Sequence, residues 1–314
     1  MDVFGAALEA RGFLGDAALA AGHELGVFEA LADGPAALEA VALRIGVAAG
    51  HRLRALLDVL VALGAISCAR GGDAARFAAA AAVPARPEVP RAGWGLLAEV
   101  VRRDRPLPVE HDGEAVGRLH HHLASAGAAA AGELVAGLGA VSLLDLGAGA
   151  GAYSKAFLEA HPAGRATLVD TEQVLALAAG WLGPLADRAR RIAGDAAEVD
   201  VGDGHGAVLL ANVLHLHPPA TCARLVAAAA RAVAPGGVVV IKDLRVDDDR
   251  GGPLEGLLFA LNMALYTEAG DVYPTAQLRR WLTGAGLVGV AERRLAAAPD
   301  AIVVTARRSA DPRC

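Results

Sequence analysis

The chain has 314 residues, 54% of them hydrophobic, a formal net charge of −6 and three cysteines. It is long and apolar enough for two cores, and its acidic balance argues against an extended nucleic-acid or anionic-membrane surface, which needs clustered Lys and Arg. Cys68, Cys222 and Cys314 lie far apart, with neither disulfide-framework nor zinc-ligand spacing.

Met1 to Phe13 carries Asp2, Glu9 and Arg11 and lacks the basic-then-apolar order of a secretory leader. No charge-free apolar run reaches membrane-spanning length, so a cytoplasmic protein is expected. Residues 1–88 read as helices followed by a hairpin. Leu53, Leu56, Leu57, Leu60 and Leu63 form one helical stripe that Gly64 ends, and Asp33-Gly34-Pro35 is a turn. Ala65 to Ala69 and Arg76 to Ala80, joined through Gly71-Gly72, give the two strands of a wing, a winged-helix pattern. Pro84, Pro87 and Pro90 mark a linker, and residues 89–138 carry helical patterns over Trp94 to Val101 and Leu119 to Leu138.

From residue 139 apolar runs alternate with helices: Val141 to Leu146, Ala166 to Val169, Ala189 to Ala193, Ala207 to Leu214, Val238 to Ile241, Leu287 to Ala291 and Ala301 to Thr305. Helices separate the first five, which demands right-handed parallel crossovers. The last two are joined too tightly for a helix and should pair antiparallel. The expected fold class is α/β, a doubly wound seven-stranded Rossmann-like sheet over residues 139–314, with a smaller, mainly helical winged-helix domain before it.

The most informative stretch is Leu143-Leu144-Asp145-Leu146-Gly147-Ala148-Gly149-Ala150-Gly151. A strand breaks into glycines just where a helix begins, so bare backbone and unpaired helix N–H groups meet a ligand there. Gly147, Gly149 and Ala152, with Asp170 at the end of the next strand, also fit a dinucleotide site. Asp145, two residues before the first glycine, separates the options, because a carboxylate there draws a cationic amine rather than a pyrophosphate. S-adenosylmethionine carries such an amine and no phosphate. Only 144 residues follow Asp170, and the sheet needs them, which leaves little room for the substrate domain of a dehydrogenase.

Leu143 to Gly151, Asp170, Gly194-Asp195, Ala211-Asn212-Val213-Leu214-His215, Ala234-Pro235-Gly236-Gly237 and Tyr273 to Gly286 together resemble the class I S-adenosylmethionine-dependent methyltransferases. Within these the chain is similar to the small-molecule O-methyltransferases with an N-terminal winged-helix dimerisation domain. The resemblance implies that S-adenosylmethionine lies with its methionine end over Gly147 to Gly151, its ribose hydroxyls on Asp170 and its adenine near Asp195, with Asp145 and Asn212 also in the cofactor site. It implies His215 as catalytic base and Asp243 as the carboxylate that orients it, with no metal required. It further implies a homodimer through the N-terminal domain and a small-molecule acceptor, with no nucleic-acid or membrane partner.

Chemistry is consistent with those roles. A carboxylate at Asp170 accepts two hydroxyl hydrogens at once, and a phenol of pKa about 10 stays protonated at neutral pH until a base such as His takes its proton. The plain alternatives are a helix N-cap for Asp170 and a turn residue for Asp195. Phe259, Asn262, Met263 and Tyr266 share a helical face, and the resemblance makes that helix a wall of the acceptor pocket, with Trp94 as a further candidate. Asn262 in an apolar stripe needs a hydrogen-bonding partner, which the acceptor could supply. A flat, largely apolar aromatic metabolite is the expected acceptor.

Where the family continues past its histidine with Asp-Trp, this chain reads His215-Leu216-His217-Pro218-Pro219, and a second family Glu near Tyr273 has no evident counterpart. N- or C-methylation, metal assistance through His215 and His217, and a fold that keeps its cofactor without transfer chemistry therefore stay open. So does a DNA-binding regulator, with His51, Arg52 and Arg54 beginning a recognition helix. His120-His121-His122 is expected on a helix, its rings fanning around the axis rather than converging on one ion, with a solvated or pocket-rim role.

Overall fold

The computed structural model describes residues 11–70, 75–108 and 113–310. The first ten residues of the amino-terminal segment, Gly71-Gly72 in the wing and Cys314 lie outside them.

The chain opens with α1 (Arg11–Leu25) and α2 (Val27–Ala30), separated by Gly26 at φ 75°. Next come β1 (Ala36–Ala37), α3 (Leu38–Ile45), α4 (His51–Ala62), β2 (Ile66–Ala69) and β3 (Arg76–Ala79). Leu53, Leu56, Leu57 and Leu60 are all buried, as their stripe requires. Gly64, at φ 72°, ends the helix by taking a left-handed conformation that a side chain would resist. The wing has three strands, in the order β1-β3-β2, all antiparallel. Its third member is two alanines long, too short for any alternation to be read.

After a 3₁₀ turn at Gly93–Leu96 follow α5 (Leu97–Arg103) and α6 (Gly113–Ala136), then β4 (Ser142–Leu146), α7 (Ala152–Ala160), β5 (Arg165–Asp170), α8 (Glu172–Leu182) and β6 (Ala189–Ala193). The remainder is β7 (His205–Ala211), α9 (Pro219–Ala232), β8 (Val233–Leu244), α10 (Leu254–Tyr266), α11 (Thr275–Gly284), β9 (Val288–Leu295) and β10 (Ala298–Arg307). The large sheet has the order β6-β5-β4-β7-β8-β10-β9. Its first five strands pair in parallel, whereas β10 runs antiparallel to both β8 and β9. That is the seven-stranded doubly wound sheet expected. Its central strands are apolar on both faces, with Leu143, Leu144, Val208, Leu209, Leu210, Val239, Val240, Val303 and Val304 all buried.

Several strand ends differ from their expected bounds, and two of these shape the functional edge. The run expected over Ala207 to Leu214 stops at Ala211, because Asn212 turns left-handed at φ 58° and Leu214–Leu216 form a 3₁₀ turn. Asparagine tolerates that conformation better than other side-chain-bearing residues. The run expected to end at Ile241 instead continues to Leu244, where the β10 register pairs Asp243 with Ile302 and Leu244 with Ala301.

The chain divides into two compact units, one within Met1–Val109 and Val246–Pro274, the other within Glu110–Arg245 and Thr275–Cys314. This differs from the contiguous division at 1–88, 89–138 and 139–314. The segment carrying α10 groups with the amino-terminal residues, and α10 packs on α4. Arg250 supplies the physical reason. Its Nε donates to buried Asp58 at 2.6 Å and its other nitrogens donate to Asp271 at 3.0 and 3.1 Å. Arg52 donates to the carbonyls of Thr267 and Glu268, and the Leu107 amide to Leu265. The helices expected inside 89–138 fall one in each unit, α5 in the first and α6 in the second. Among the described residues no helix is long and apolar enough to cross a membrane.

Candidate active site

Within the second unit, the carboxyl ends of β4, β5, β7 and β8 meet where the strand order reverses direction, the place where open α/β sheets bind ligands. The glycine turn follows β4. Its first two amides, of Gly147 and Ala148, donate to the Val169 carbonyl at 2.9 and 3.0 Å, which ties the turn to the end of β5. Gly147 has φ 73°, and a Cβ added there would lie 2.5 Å from Val213 Cγ2, so the close approach of β7's exit to β4's exit needs a bare backbone. Gly149, at φ 57°, donates its amide to Asp170 Oδ2 at 2.8 Å. Gly151 lies at φ 86° and caps the amino end of α7.

Asp170 holds the turn with one oxygen and the Thr171 amide, at 2.7 Å, with the other. Each oxygen keeps a further lone pair for a hydroxyl. The helix N-cap is Thr171, whose side chain accepts from the Val174 amide. Capping of α8 therefore does not account for Asp170. Asp195 is exposed, and its Oδ1 accepts from Ala197 at 2.8 Å, the geometry of a turn residue.

Asp145 is 1% exposed beneath the turn, and Ser154 donates to its Oδ2 at 2.7 Å. Burial without a cation pushes its carboxyl up to about 7, partly offset by the Ser154 bonds, with Asp170 adding to the rise. The sequence offered Asp145 as a group that draws a cationic amine; in the structure it fastens β4 to the first turn of α7.

His215, in the 3₁₀ turn after β7, is buried, and so is Asp243 near the end of β8. Imidazole Nδ1 lies 2.6 Å from Asp243 Oδ1, the His215 amide donates to Oδ2 at 3.2 Å, and the Leu244 amide donates to Oδ1 at 2.8 Å. Burial alone would raise Asp243, but the charge and hydrogen bond of His215, the Leu244 amide and the charge of Lys242 together pull it below the ordinary value. A carboxylate fixed on Nδ1 holds the proton there and leaves Nε2 as the basic nitrogen.

Two neighbours were not singled out from the sequence. Lys242 is buried, donates to Asn212 Oδ1 at 2.7 Å, and is lowered by burial. Its signal was a charge within the apolar run that ends β8. Together with the Asn212 amide on the Lys242 carbonyl, at 2.8 Å, it fixes the left-handed turn that leads to His215. Tyr153, in the first turn of α7, is buried beside Asn212, where its hydroxyl makes no hydrogen bond of standard geometry, and burial pushes that hydroxyl up. His217 is half-buried and lowered, first by burial and then by His215, against an opposing pull from Asp195. Among the described residues no three His, Cys, Asp or Glu side chains are grouped to hold a metal ion.

In the first unit, Phe259, Asn262 and Tyr266 lie on the half-exposed face of α10, while Met263 is buried. The amide expected to lack a partner has one. Trp94 Nε1 donates to Asn262 Oδ1 at 3.2 Å, so the two candidates from distant parts of the chain meet. The two arginines of the expected recognition helix are engaged internally: Arg52 is 3% exposed and also pairs with Asp104 at 3.1 Å, and Arg54 pairs with Asp58 at 2.9 Å.

The glycine turn suits the adenosyl cofactor. Gly149 leaves a face that a Cβ would fill, 3.4 Å from the His120 ring, and Asp170 keeps acceptor capacity beside it.

Comparisons with known proteins agree. A family model described as an O-methyltransferase domain matches residues 129–288, and one described as an O-methyltransferase dimerisation domain matches residues 9–83. The chain is 32% identical over 305 residues to 3-hydroxy-5-methyl-1-naphthoate 3-O-methyltransferase of Streptomyces sahachiroi, covering 88% of this chain and 87% of that protein. It is 26% identical over 341 residues to acetylserotonin O-methyltransferase of Homo sapiens, covering 94% and 95%. An O-methyltransferase family 2 protein from Planctomyces limnophilus, solved in complex with apigenin, superposes with a TM-score of 0.78 at 24% identity, covering 98% of this chain and 96% of that one, a likeness of fold. The chain belongs to the O-methyltransferase family and is an S-adenosylmethionine-dependent methyltransferase. The match to a dimerisation domain supports a homodimer.

Proposed function

We propose that this enzyme transfers a methyl group to a hydroxyl of a small, flat aromatic metabolite, with His215 as general base and Asp243 as the residue that orients it. The observation that carries the reading is the buried 2.6 Å contact between His215 Nδ1 and Asp243 Oδ1. The cofactor, when bound, supplies an electrophilic methyl carbon. The chain's own part is to hold the nucleophile in line with that carbon and take its proton: Nε2 accepts the hydroxyl hydrogen, and Asp243 stabilises the imidazolium that results. A phenolic hydroxyl needs such a base at neutral pH.

Gly147, Gly149, Gly151 and Asp170 are assigned to the cofactor, with Asn212 shaping the site through its bond to Lys242. Asp195 is assigned to the adenine side through its exposed turn. Trp94, Phe259, Asn262 and Met263 are assigned to the acceptor. The Trp94 bond to Asn262 supports this by fixing the amide, so that its nitrogen is presented in one direction. Relatives named for a naphthoate and for acetylserotonin support an aromatic acceptor. An acidic chain whose Arg52 and Arg54 are paired internally favours a small molecule over duplex DNA as partner.

The test is methyl transfer from labelled cofactor to hydroxylated naphthalenes and indoles, with matched amines as controls. Label should appear on the hydroxyl, and His215→Ala should lower turnover at least about 100-fold at neutral pH. Labelling of nitrogen or carbon alone, or an undiminished His215→Ala enzyme, would overturn the proposal.

A further inference from the structure

The histidine run on α6 has no place in the chemistry above, yet its first member sits at the cofactor turn. A Cβ on Gly149 would lie 3.4 Å from His120 Nδ1 and 3.8 Å from its Cε1, so the Nδ1 edge of the ring faces the bare backbone of the turn. Helix α6 is held in that position along α7 and α8. One turn before His120, a Cβ on Gly117 would lie 3.8 Å from Leu177, and one residue after it His121 stacks edge-on against Trp181 at 5.4 Å. The three rings thus do different things: His121 braces the helix, His122 has its Nε2 buried, and His120 looks onto the glycine turn.

The charges around this point decide what His120 would meet. An S-adenosyl amino acid brings a carboxylate, an ammonium and a sulfonium. Asp170 uses its oxygens on the turn amides and suits hydroxyls, while Asp145 lies buried beneath the turn. Neither can receive an anion. His120 can, as a donor. Resting on the assignment of Gly147 to Gly151 to the cofactor, we infer that His120 binds the amino-acid carboxylate of the cofactor and closes the glycine turn over it.

Proton linkage follows. Burial lowers His120 below the ordinary histidine value, and the Asp170 carboxylate opposes that fall only in part, so the free ring is neutral at pH 7. Asp170 faces it from β5; on α7, Lys155 is occupied by Glu159, and Glu172 is exposed at the start of α8. A carboxylate arriving at the ring favours the imidazolium. Cofactor binding should therefore take up a proton, and affinity should weaken as pH rises through the pKa of the bound ring.

The experiment is calorimetric titration of the full chain with adenosylhomocysteine in buffers of different ionisation enthalpy between pH 6 and 8, for the parent and for His120→Gln. The same pair is titrated with methylthioadenosine, which has the nucleoside and sulfur but no amino-acid group. The parent should take up a fraction of a proton with adenosylhomocysteine. His120→Gln should lose that uptake and bind about tenfold more weakly, while methylthioadenosine binds both proteins alike. Equal affinity and equal proton uptake in the two proteins would overturn the inference, leaving the methyltransfer reading intact. Equal weakening of both ligands would also overturn it, since the ring would then shape the turn rather than hold a carboxylate. If the parent ignores adenosylhomocysteine altogether, both readings fail, and that first titration tells the cases apart.

Discussion

Replacing Asp243 by Asn separates orientation from bulk more sharply than removing His215 does. The side chain is buried, and its oxygens receive the His215 and Leu244 amides as well as the imidazole. An amide has one acceptor where the carboxylate has two. With its oxygen at the Oδ1 position it keeps the Leu244 amide and Nδ1–H but sets its NH₂ against the His215 amide, and with its oxygen at the Oδ2 position it sets its NH₂ against both Nδ1 and the Leu244 amide. In the second placement the ring must carry its proton on Nε2, where a base is needed, and in either one the neutral amide no longer stabilises the imidazolium as the carboxylate does. General-base contributions of about 10²–10⁴ set the scale. The expected loss in kcat is about 100- to 1000-fold, or about 3–4 kcal/mol of barrier.

Adenosylhomocysteine affinity should stay within about twofold, because Asp243 points at His215 and not at the glycine turn. The loss should also shrink for acceptors acidic enough to be ionised already, since these need no base. Steady-state kinetics on a series of phenols of graded acidity, with calorimetry in parallel, reads both effects. A variant that folds and turns over at the parent rate would refute the orientation role. A uniform loss across the series would refute the base.

Two further outcomes come from the glycine turn. Gly147→Ala puts a Cβ 2.5 Å from Val213 in a left-handed backbone, so the turn must shift; the melting temperature should fall, and affinity for adenosylhomocysteine by tenfold or more. Unchanged binding by calorimetry would show that the turn does not need its bare carbon. Asp145 has a folded-state pKa of about 7 against an unfolded value of about 3.9, so the folded state binds the extra proton between those values. Stability should fall as pH rises through that window, by up to about 1.4 kcal/mol per unit, and level off above it. Asp145→Asn should flatten the curve in urea unfolding between pH 4 and 7, and parallel curves for the two proteins would contradict the burial account.

Legibility in the sequence followed the range of the interactions. The central strands of the large sheet were visible because burial on both faces writes them as unbroken apolar runs, as in Val208 to Leu210 and Val239 to Ile241, whereas the edge strands β6 and β9 are largely exposed and carry charges. Strand β1, two alanines paired with Phe77 and Arg76, leaves no local pattern. The allegiance of α10 was equally hidden. It depends on Arg250 reaching Asp58, 192 positions away, and on Arg52 reaching Thr267, and no window of sequence contains both partners. The Trp94 bond to Asn262, 168 positions apart, was missed for the same reason, so an amide that looked unpaired was offered a ligand as its partner. His215 and Asp243 were legible as types at strand ends; their 2.6 Å contact required the register of β7 against β8.

Four aspartates at one sheet edge show how far residue identity goes before environment takes over. Asp145 is buried with a hydroxyl but no cation, and its proton affinity rises until it is a structural acid near neutrality. Asp243 is as deeply buried, yet with His215 and Lys242 beside it the same desolvation is outweighed and the carboxylate is held ionised. Asp170, between the turn amides of Gly149 and Thr171, is an organised acceptor with lone pairs to spare. Asp195, exposed, closes its own turn. A motif can place all four at the carboxyl ends of strands. Which becomes a proton holder, a partner for a base, a hydroxyl acceptor or a turn is decided by the nearest cation and the nearest amide, because those contacts outweigh or fail to outweigh the cost of leaving water.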